Sequence, residues 1–393
     1  MRVLFLAHAY PRFAGDPVGS FIANLAVALR DEGVEVVVSA PSAPGVASHD
    51  RMDGIRVERF RYAPRAMETL AYTGTMGAQV KESVRGKLAM GSYLVAALRA
   101  ANALARRERI ALVHAHWWFP AGLVASMLHS AGRGPFVVTS HGSDLRLARS
   151  FPGGQRLFSH VASRAAAVTT VSSWLAREAQ QLLPGLSVRV MPMPVLGALF
   201  HPGDARDENR LLFVGKLSEQ KGFGRLLSAM SQMRTKATLT VVGAGRLDDS
   251  ALRERAGALG LDDRIEWLPI LSQAELAVQY RRAAVHVIPA LDEGLGLTAV
   301  EALLSETPVV GFDSGGLPDI VRDGETGRLV PAGDERALAA ALDELMSSIE
   351  LRHRLGAQGR AHAERTFGLH AVARGYADLY QRALASPTVP GHF

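Results

Sequence analysis

The stretch VHVIPALDEGLGLTAVEALLSETPVVGFD, residues 285–313, decides the fold. VHVIPA is a β-branched apolar run. Leu291–Gly296 is a glycine-rich loop, Leu297–Leu304 has a helical pattern, and PVVGFD is a second apolar run. Strand, loop, helix and strand in that order predict two parallel strands joined by a crossover helix, buried on both faces. The stretch also carries two carboxylates, Glu293 in the loop and Glu301 just over a turn into the helix. A helix N-terminus presents unpaired N–H groups and partial positive charge, and glycines let an anion approach that backbone. The spacing suits a ligand with sugar hydroxyls at both ends and phosphate between them. Taken alone, the same pattern fits an ordinary βα loop with a solvated glutamate.

The pattern repeats in both directions. RVLFLAH, VEVVVSA, IRVERFRY, LVHAHW, FVVTSH, AVTTVS and VRVMP precede residue 195, separated by helical stretches such as Ser20–Arg30 and Lys87–Arg107. LLFVGK, LTVVG, RIEWLP, VHVIPA, PVVGFD and GRLV follow it, again alternating with helices. A chain of 393 residues exceeds one ordinary core. The expectation is therefore α/β architecture with two doubly wound, Rossmann-like domains facing across a cleft. Three prolines in MPMPVLGALFHPG mark the boundary. The expected division is 1–195, 196–369, and a last helix over 370–393 that packs back on the first domain.

Apolar residues make up 48% and charged residues 21%, the composition of a globular protein. There is no cysteine, so thiolate and disulfide chemistry are excluded. The opening MRVLFLAHAYPRF is too short an apolar run for a signal h-region and reads as a first strand. The longest apolar candidate, near 91–105, contains Arg99 and Asn102, so a membrane span is not expected. Charge is uneven. Residues 1–200 hold 22 Lys/Arg against 12 Asp/Glu, a net of +10, and residues 201–393 hold 22 against 26, a net of −4. A basic half suggests an anionic partner surface.

Other loops after strands carry candidates. KLSEQKG sets Lys216 and Lys221 at a strand-to-helix turn, where two cations can clamp a diphosphate. VVGAGR (Gly243, Gly245) lacks the third glycine of a dinucleotide fingerprint, so a dehydrogenase is poorly supported. Ser314-Gly315-Gly316 follows PVVGFD. In the first half, AHAYPRFAGDPVGSF places Gly15 and Gly19 before an amphipathic helix, and FVVTS ends in His141-Gly142-Ser143-Asp144. His114 and His116 share one face of a strand, where packing or acceptor contact is favoured over a metal site without a third ligand. Trp117, Trp118 and Phe119 stack on a sugar or cover the sheet end. Arg56, Arg59, Arg61 and Arg65 lie among Phe60, Tyr62 and Tyr72, and Arg106, Arg107 and Arg109 form a second basic cluster.

Together, VGKLSEQKGFGRLLSAM, VVGAGR, DEGLGLTAVEALLSETPVVGFDSGGLPDIVRDGETGRLV, THGSD and the first glycine loop resemble the large retaining glycosyltransferase family 4, of GT-B fold. The resemblance covers nearly the whole chain, and five motifs agree in order and spacing. It implies Glu293 near the donor hexose and Glu301 on the ribose hydroxyls. It puts Lys216 and Lys221 on the diphosphate, Gly19 near the phosphates, and His141 near the transferred sugar. Gly243, Gly294, Leu295, Gly296 and Leu297 would line the donor. His116, Trp117, Arg59 and Arg61 are the acceptor-side candidates. The family's usual arginine is Lys216 here, and Asp319 stands where a glutamate is common.

The implied activity is hexosyl transfer from a UDP- or GDP-linked sugar to a glycan or lipid-linked acceptor in bacterial envelope or polysaccharide synthesis. No metal or other cofactor and no nucleic acid are expected. The expected location is cytoplasmic, peripheral at the anionic inner face of the plasma membrane. The alternatives are a GT-B nucleotide-sugar epimerase and a non-catalytic sugar-nucleotide-binding paralogue.

Overall fold

The computed structural model describes residues 1–74, 76–203, 206–243 and 249–385. They divide into two units, Met1–Pro194 with the C-terminal helix Leu369–Ala385, and Val195–Gly368.

The strands of the first unit are β1 (Arg2–Leu6), β2 (Glu35–Pro41), β3 (His49–Met52), β4 (Ile55–Phe60), β5 (Leu112–His116), β6 (Phe136–Ser140), β7 (Ala167–Thr170) and β8 (Val188–Val190). Their order in the sheet is β3-β4-β2-β1-β5-β6-β7-β8. All pairs are parallel except β3 with β4, a hairpin that the all-parallel expectation lacked. β3 is half exposed, which is why it carries no apolar signature. β1, β5 and β6 are buried nearly throughout, as strands covered on both faces must be. Two further helices not expected from sequence, Ser143–Ser150 and Gly154–Ala162, follow β6. The helix Leu369–Ala385 belongs to this unit. It packs on Ser20–Asp31, and its Tyr376 and Tyr380 are fully buried.

The second unit holds β9 (Asp207–Val214), β10 (Thr238–Val242), β11 (Ile265–Leu268), β12 (Ala283–Ile288), β13 (Val309–Phe312) and β14 (Gly327–Val330), all parallel, in the order β11-β10-β9-β12-β13-β14. The core runs from Leu211 and Phe213 on β9 through Val241, Val285 and Val310 to Leu338 and Leu342 on the flanking helix.

This strand order places the reversal of chain direction across the sheet between β9 and β12. In the first unit it falls between β1 and β5. In open α/β sheets ligands bind beyond the carboxyl ends of the strands at such a switch point. The loops after β9 and β12, and after β1 and β5, are therefore where the chemistry belongs.

Candidate functional site

In the second unit the sequence candidates converge on the β9/β12 switch point. The loop after β9 makes a turn over Glu219–Lys221, and the Lys221 ammonium lies 2.5 Å from the Glu293 carboxylate in the loop after β12. The two side chains are 32% and 18% exposed, accessible to a ligand without being fully solvated. Lys216 is exposed and in no ion pair among the described residues.

The Glu293 loop is held from behind by the turn after β13. Gly316 N–H donates to the Glu293 carbonyl at 2.8 Å, and Asp292 N–H donates to Ser314 Oγ at 3.0 Å. Gly315 has φ of +62°, and a Cβ there would stand 2.4 Å from the Glu293 carbonyl oxygen. Only glycine permits that approach. Gly294 and the buried Leu295 lead to Gly296, the N-cap of the helix Leu297–Leu304, where no side chain caps the first N–H groups. Gly243 follows β10 with φ of +115°, and a Cβ there would stand 2.4 Å from the Gly215 carbonyl oxygen in the loop after β9. Gly245 lies outside the described residues.

Glu301 is only 9% exposed and receives a hydrogen bond from Tyr280 Oη at 2.9 Å. Burial pushes its pKa from the ordinary 4.5 up to about 7, against the stabilising Tyr280 bond. A carboxyl poised near neutrality gains from any further donor that arrives, such as a vicinal diol. Sequence reading missed Tyr280. It sits on the helix Gln273–Arg282, and only the tertiary packing brings it to Glu301.

In the first unit the candidates gather at the ends of β1, β5 and β6. The His141 ring lies 4.7 Å from Trp117 and 5.0 Å from Phe21, centroid to centroid, and Trp117 in turn lies 4.0 Å from His8. Asp144 organises the turn that presents His141. It accepts from the backbone N–H groups of His141 and Gly142 at 3.1 Å each, and from that of Trp118 at 3.0 Å. Desolvation lowers the His141 pKa to about 3 and that of His8 to about 4, so both rings are neutral at pH 7. His8 escaped the sequence reading, which looked past it to the glycines. Its place just beyond β1 was the available signal.

His116 is fully buried, behind His141, with Nδ1 3.2 Å from His141 Nε2. It therefore does not contact an acceptor, as the sequence had suggested. Its own Nε2 is buried without a partner. An orphaned N–H is costlier than an orphaned lone pair, which puts the proton on Nδ1, donated to His141. His141 then carries its proton on Nδ1. His114 is fully occupied between Tyr380 Oη and Thr139 Oγ1, 2.7 Å each, a packing role that leaves no nitrogen for a metal. Trp118 is core, its indole N–H donating to the Asp144 carbonyl.

Gly19 caps the helix Ser20–Asp31 with φ of +75°, and a Cβ would meet the Ala9 carbonyl oxygen at 2.6 Å. Gly15 has open space around it, so Gly19 is the position where backbone closes on backbone.

Arg59 also departs from its expected acceptor-side role. It is 5% exposed and donates to the Tyr72 hydroxyl at 3.0 Å and to the Pro11 carbonyl. It holds two loops together and offers no charge to an acceptor or a membrane. Arg61 is exposed. Arg56 and Arg107 are both tied to Glu58 and Glu108, which neutralise that basic cluster.

A fold of two Rossmann-like units is the GT-B glycosyltransferase architecture. Residues 200–362 match the family model for glycosyl transferases group 1, and residues 18–195 that for glycosyltransferase family 4. The chain is 33% identical over 313 residues to the MMP α-(1→4)-mannosyltransferase of Mycolicibacterium hassiacum, covering 73% of this chain and 74% of that protein. Among solved structures it resembles sucrose-phosphate synthase from Thermosynechococcus elongatus, with TM-score 0.80, 23% identity, and coverage of 98% and 99%. It also resembles Anabaena Alr3699/HepE in complex with UDP-glucose, with TM-score 0.72, 19% identity, and coverage of 96% and 98%. The chain belongs to glycosyltransferase family 4 and is a GT-B glycosyltransferase.

Proposed function

We propose that the protein is a retaining hexosyltransferase. It moves a hexosyl group from a UDP- or GDP-linked sugar to a hydroxyl of a glycan or lipid-linked acceptor in envelope or polysaccharide synthesis. The observation that carries this reading is the Lys221–Glu293 pair at the β9/β12 switch point, with the buried Glu301–Tyr280 pair on the helix that follows β12. The complex of Alr3699/HepE with UDP-glucose supports a nucleotide-sugar donor.

Glu301 receives the ribose hydroxyls and Glu293 hydroxyls of the hexose. Lys221, Lys216 and the helix N-terminus at Gly296–Leu297, uncapped by any side chain, face the diphosphate. As the glycosidic bond breaks, negative charge grows on the departing phosphate oxygen. These fixed positive groups stabilise it without needing a metal. The lysines carry full charge but not the bidentate geometry of an arginine. Retention follows from same-face attack, with the departing phosphate assisting the acceptor hydroxyl. Neutral His141 contributes a hydrogen bond to the transferred sugar.

The test is incubation with UDP- and GDP-sugars and candidate acceptors, followed by proton NMR of the product. Nucleoside diphosphate release that depends on acceptor, with the donor's anomeric configuration kept, is expected. Inverted product overturns retention, and an epimerised donor without transfer overturns the transferase reading.

A further inference from the structure

The helix Val84–Arg107 packs one face into the first unit through Met90, Tyr93, Ala97, Ala101 and Leu104. Its other face is out of keeping with a solvated surface. Val84 and Leu88 are each 71% exposed and Val95 is 49% exposed. At 100° per residue these three and the exposed Gly91 fall on one line along the helix. Arg99 and Arg106 continue that line, and Arg85 and Lys87 flank it. From Ser83 to Arg107 there is no acidic residue. Arg85, Lys87, Arg99 and Arg106 take part in no ion pair among the described residues, in contrast to the neutralised cluster around Glu58.

We propose that this face docks the protein flat on a membrane surface rich in anionic lipid. By length and composition the helix qualifies as a membrane span, with mean hydropathy 1.3 over its best window. The buried Tyr93, Ala97 and Leu104 exclude that, because crossing would strip them from the fold. An in-plane position keeps the packed face where it is and lowers the apolar line to the headgroup–acyl boundary, with the four cations at headgroup level. The charge pattern selects the partner. An acid-free cationic helix complements lipid phosphates, and its apolar centre line has no counterpart on a nucleic-acid backbone.

Co-sedimentation of the full chain with phosphatidylcholine vesicles, with and without phosphatidylglycerol, tests the proposal. No sugar nucleotide is present, so the outcome is independent of the transferase reading. Wild type should sediment with the anionic vesicles and be released by salt. Val84→Ser, Leu88→Ser and Val95→Ser together should weaken binding about tenfold or more. Arg85→Ser with Lys87→Ser should weaken it about fivefold per cation removed and flatten the salt dependence. Ile349→Ser, at an apolar site in the other unit as exposed as Val95, should bind like wild type. All the changes are at exposed positions, and circular dichroism of each variant verifies folding. Wild type remaining in the supernatant, stripe variants binding undiminished, or Ile349→Ser losing binding equally would each overturn the proposal. So would a concentration-dependent dimer in the absence of vesicles that the stripe variant abolishes, because the face would then serve a second copy of the chain.

Discussion

Lys221 and Glu301 carry most of the chemistry proposed for the second unit, and each makes a separate prediction. A hydrogen bond to a charged group contributes about 1.5–3 kcal/mol. Lys221→Ala should therefore lower turnover about ten- to a hundredfold while the fold survives, read by steady-state kinetics and circular dichroism. Glu301 has its folded pKa raised from 4.5 to about 7 by burial. Its contribution to stability without ligand is full below the unfolded value and is lost as pH rises through about 7. Ribose hydroxyls donate to the ionised form, so nucleotide affinity should strengthen as pH rises through about 7. Calorimetry should show proton release on binding near pH 6.5, and Glu301→Gln should abolish both effects. Affinity independent of pH would remove Glu301 from the nucleotide site. In the first unit, His141→Ala should impair transfer more than it weakens binding of the bare nucleoside diphosphate. His116→Phe should move in the same direction by depriving His141 Nε2 of its donor. Equal loss of nucleotide affinity in these variants would place His141 away from the sugar.

At the scale of elements, the site depends on how loops after neighbouring strands brace one another. The Ser314–Gly316 turn holds the Glu293 loop through two hydrogen bonds and the close approach of Gly315. Gly315→Ala adds a Cβ at positive φ against a backbone carbonyl, a cost of about 1 kcal/mol or more. It should shift the Glu293 loop and weaken donor binding several-fold, whereas Gly197→Ala, with open space around it and no positive φ, should leave binding unchanged. Titration of both variants with the preferred donor checks this. The strand–loop–helix pattern that located these loops was legible in the sequence because parallel strands are continuously apolar. Short polar helices such as Ser143–Ser150 and the half-exposed β3 left no such trace. Burial of Arg59 was within reach of the sequence. Ile55, Val57 and Arg59 alternate along β4, and period two puts all three on the covered face. The Tyr280–Glu301 and His116–His141 bonds were not legible, because each joins elements 21 to 25 residues apart whose contact is set by packing.

For the whole molecule, the buried imidazoles dominate the response to acid. His8 and His286 are lowered to about 4, and His114 and His141 to about 3, all by desolvation from an ordinary 6.5. A base with a depressed folded pKa contributes stability above the unfolded value and loses it as pH falls. Urea unfolding should therefore show stability declining from about pH 6.5 toward 3, with Glu301 acting in the opposite sense as a single group. Three of these four histidines lie in the first unit. That unit should unfold first in acid, and a uniform loss in both units would contradict the assignment. The β9/β12 switch point of the second unit should bind a nucleoside diphosphate through Glu301 and Lys221. Thermal unfolding of wild type and Glu301→Ala with UDP, GDP and ADP tests it most directly. A nucleotide at a hundred times its dissociation constant stabilises by about 2.7 kcal/mol. A clear rise in unfolding temperature with UDP or GDP is expected, and Glu301→Ala should lose it. No rise with any nucleotide, or an equal rise in the variant, would contradict it.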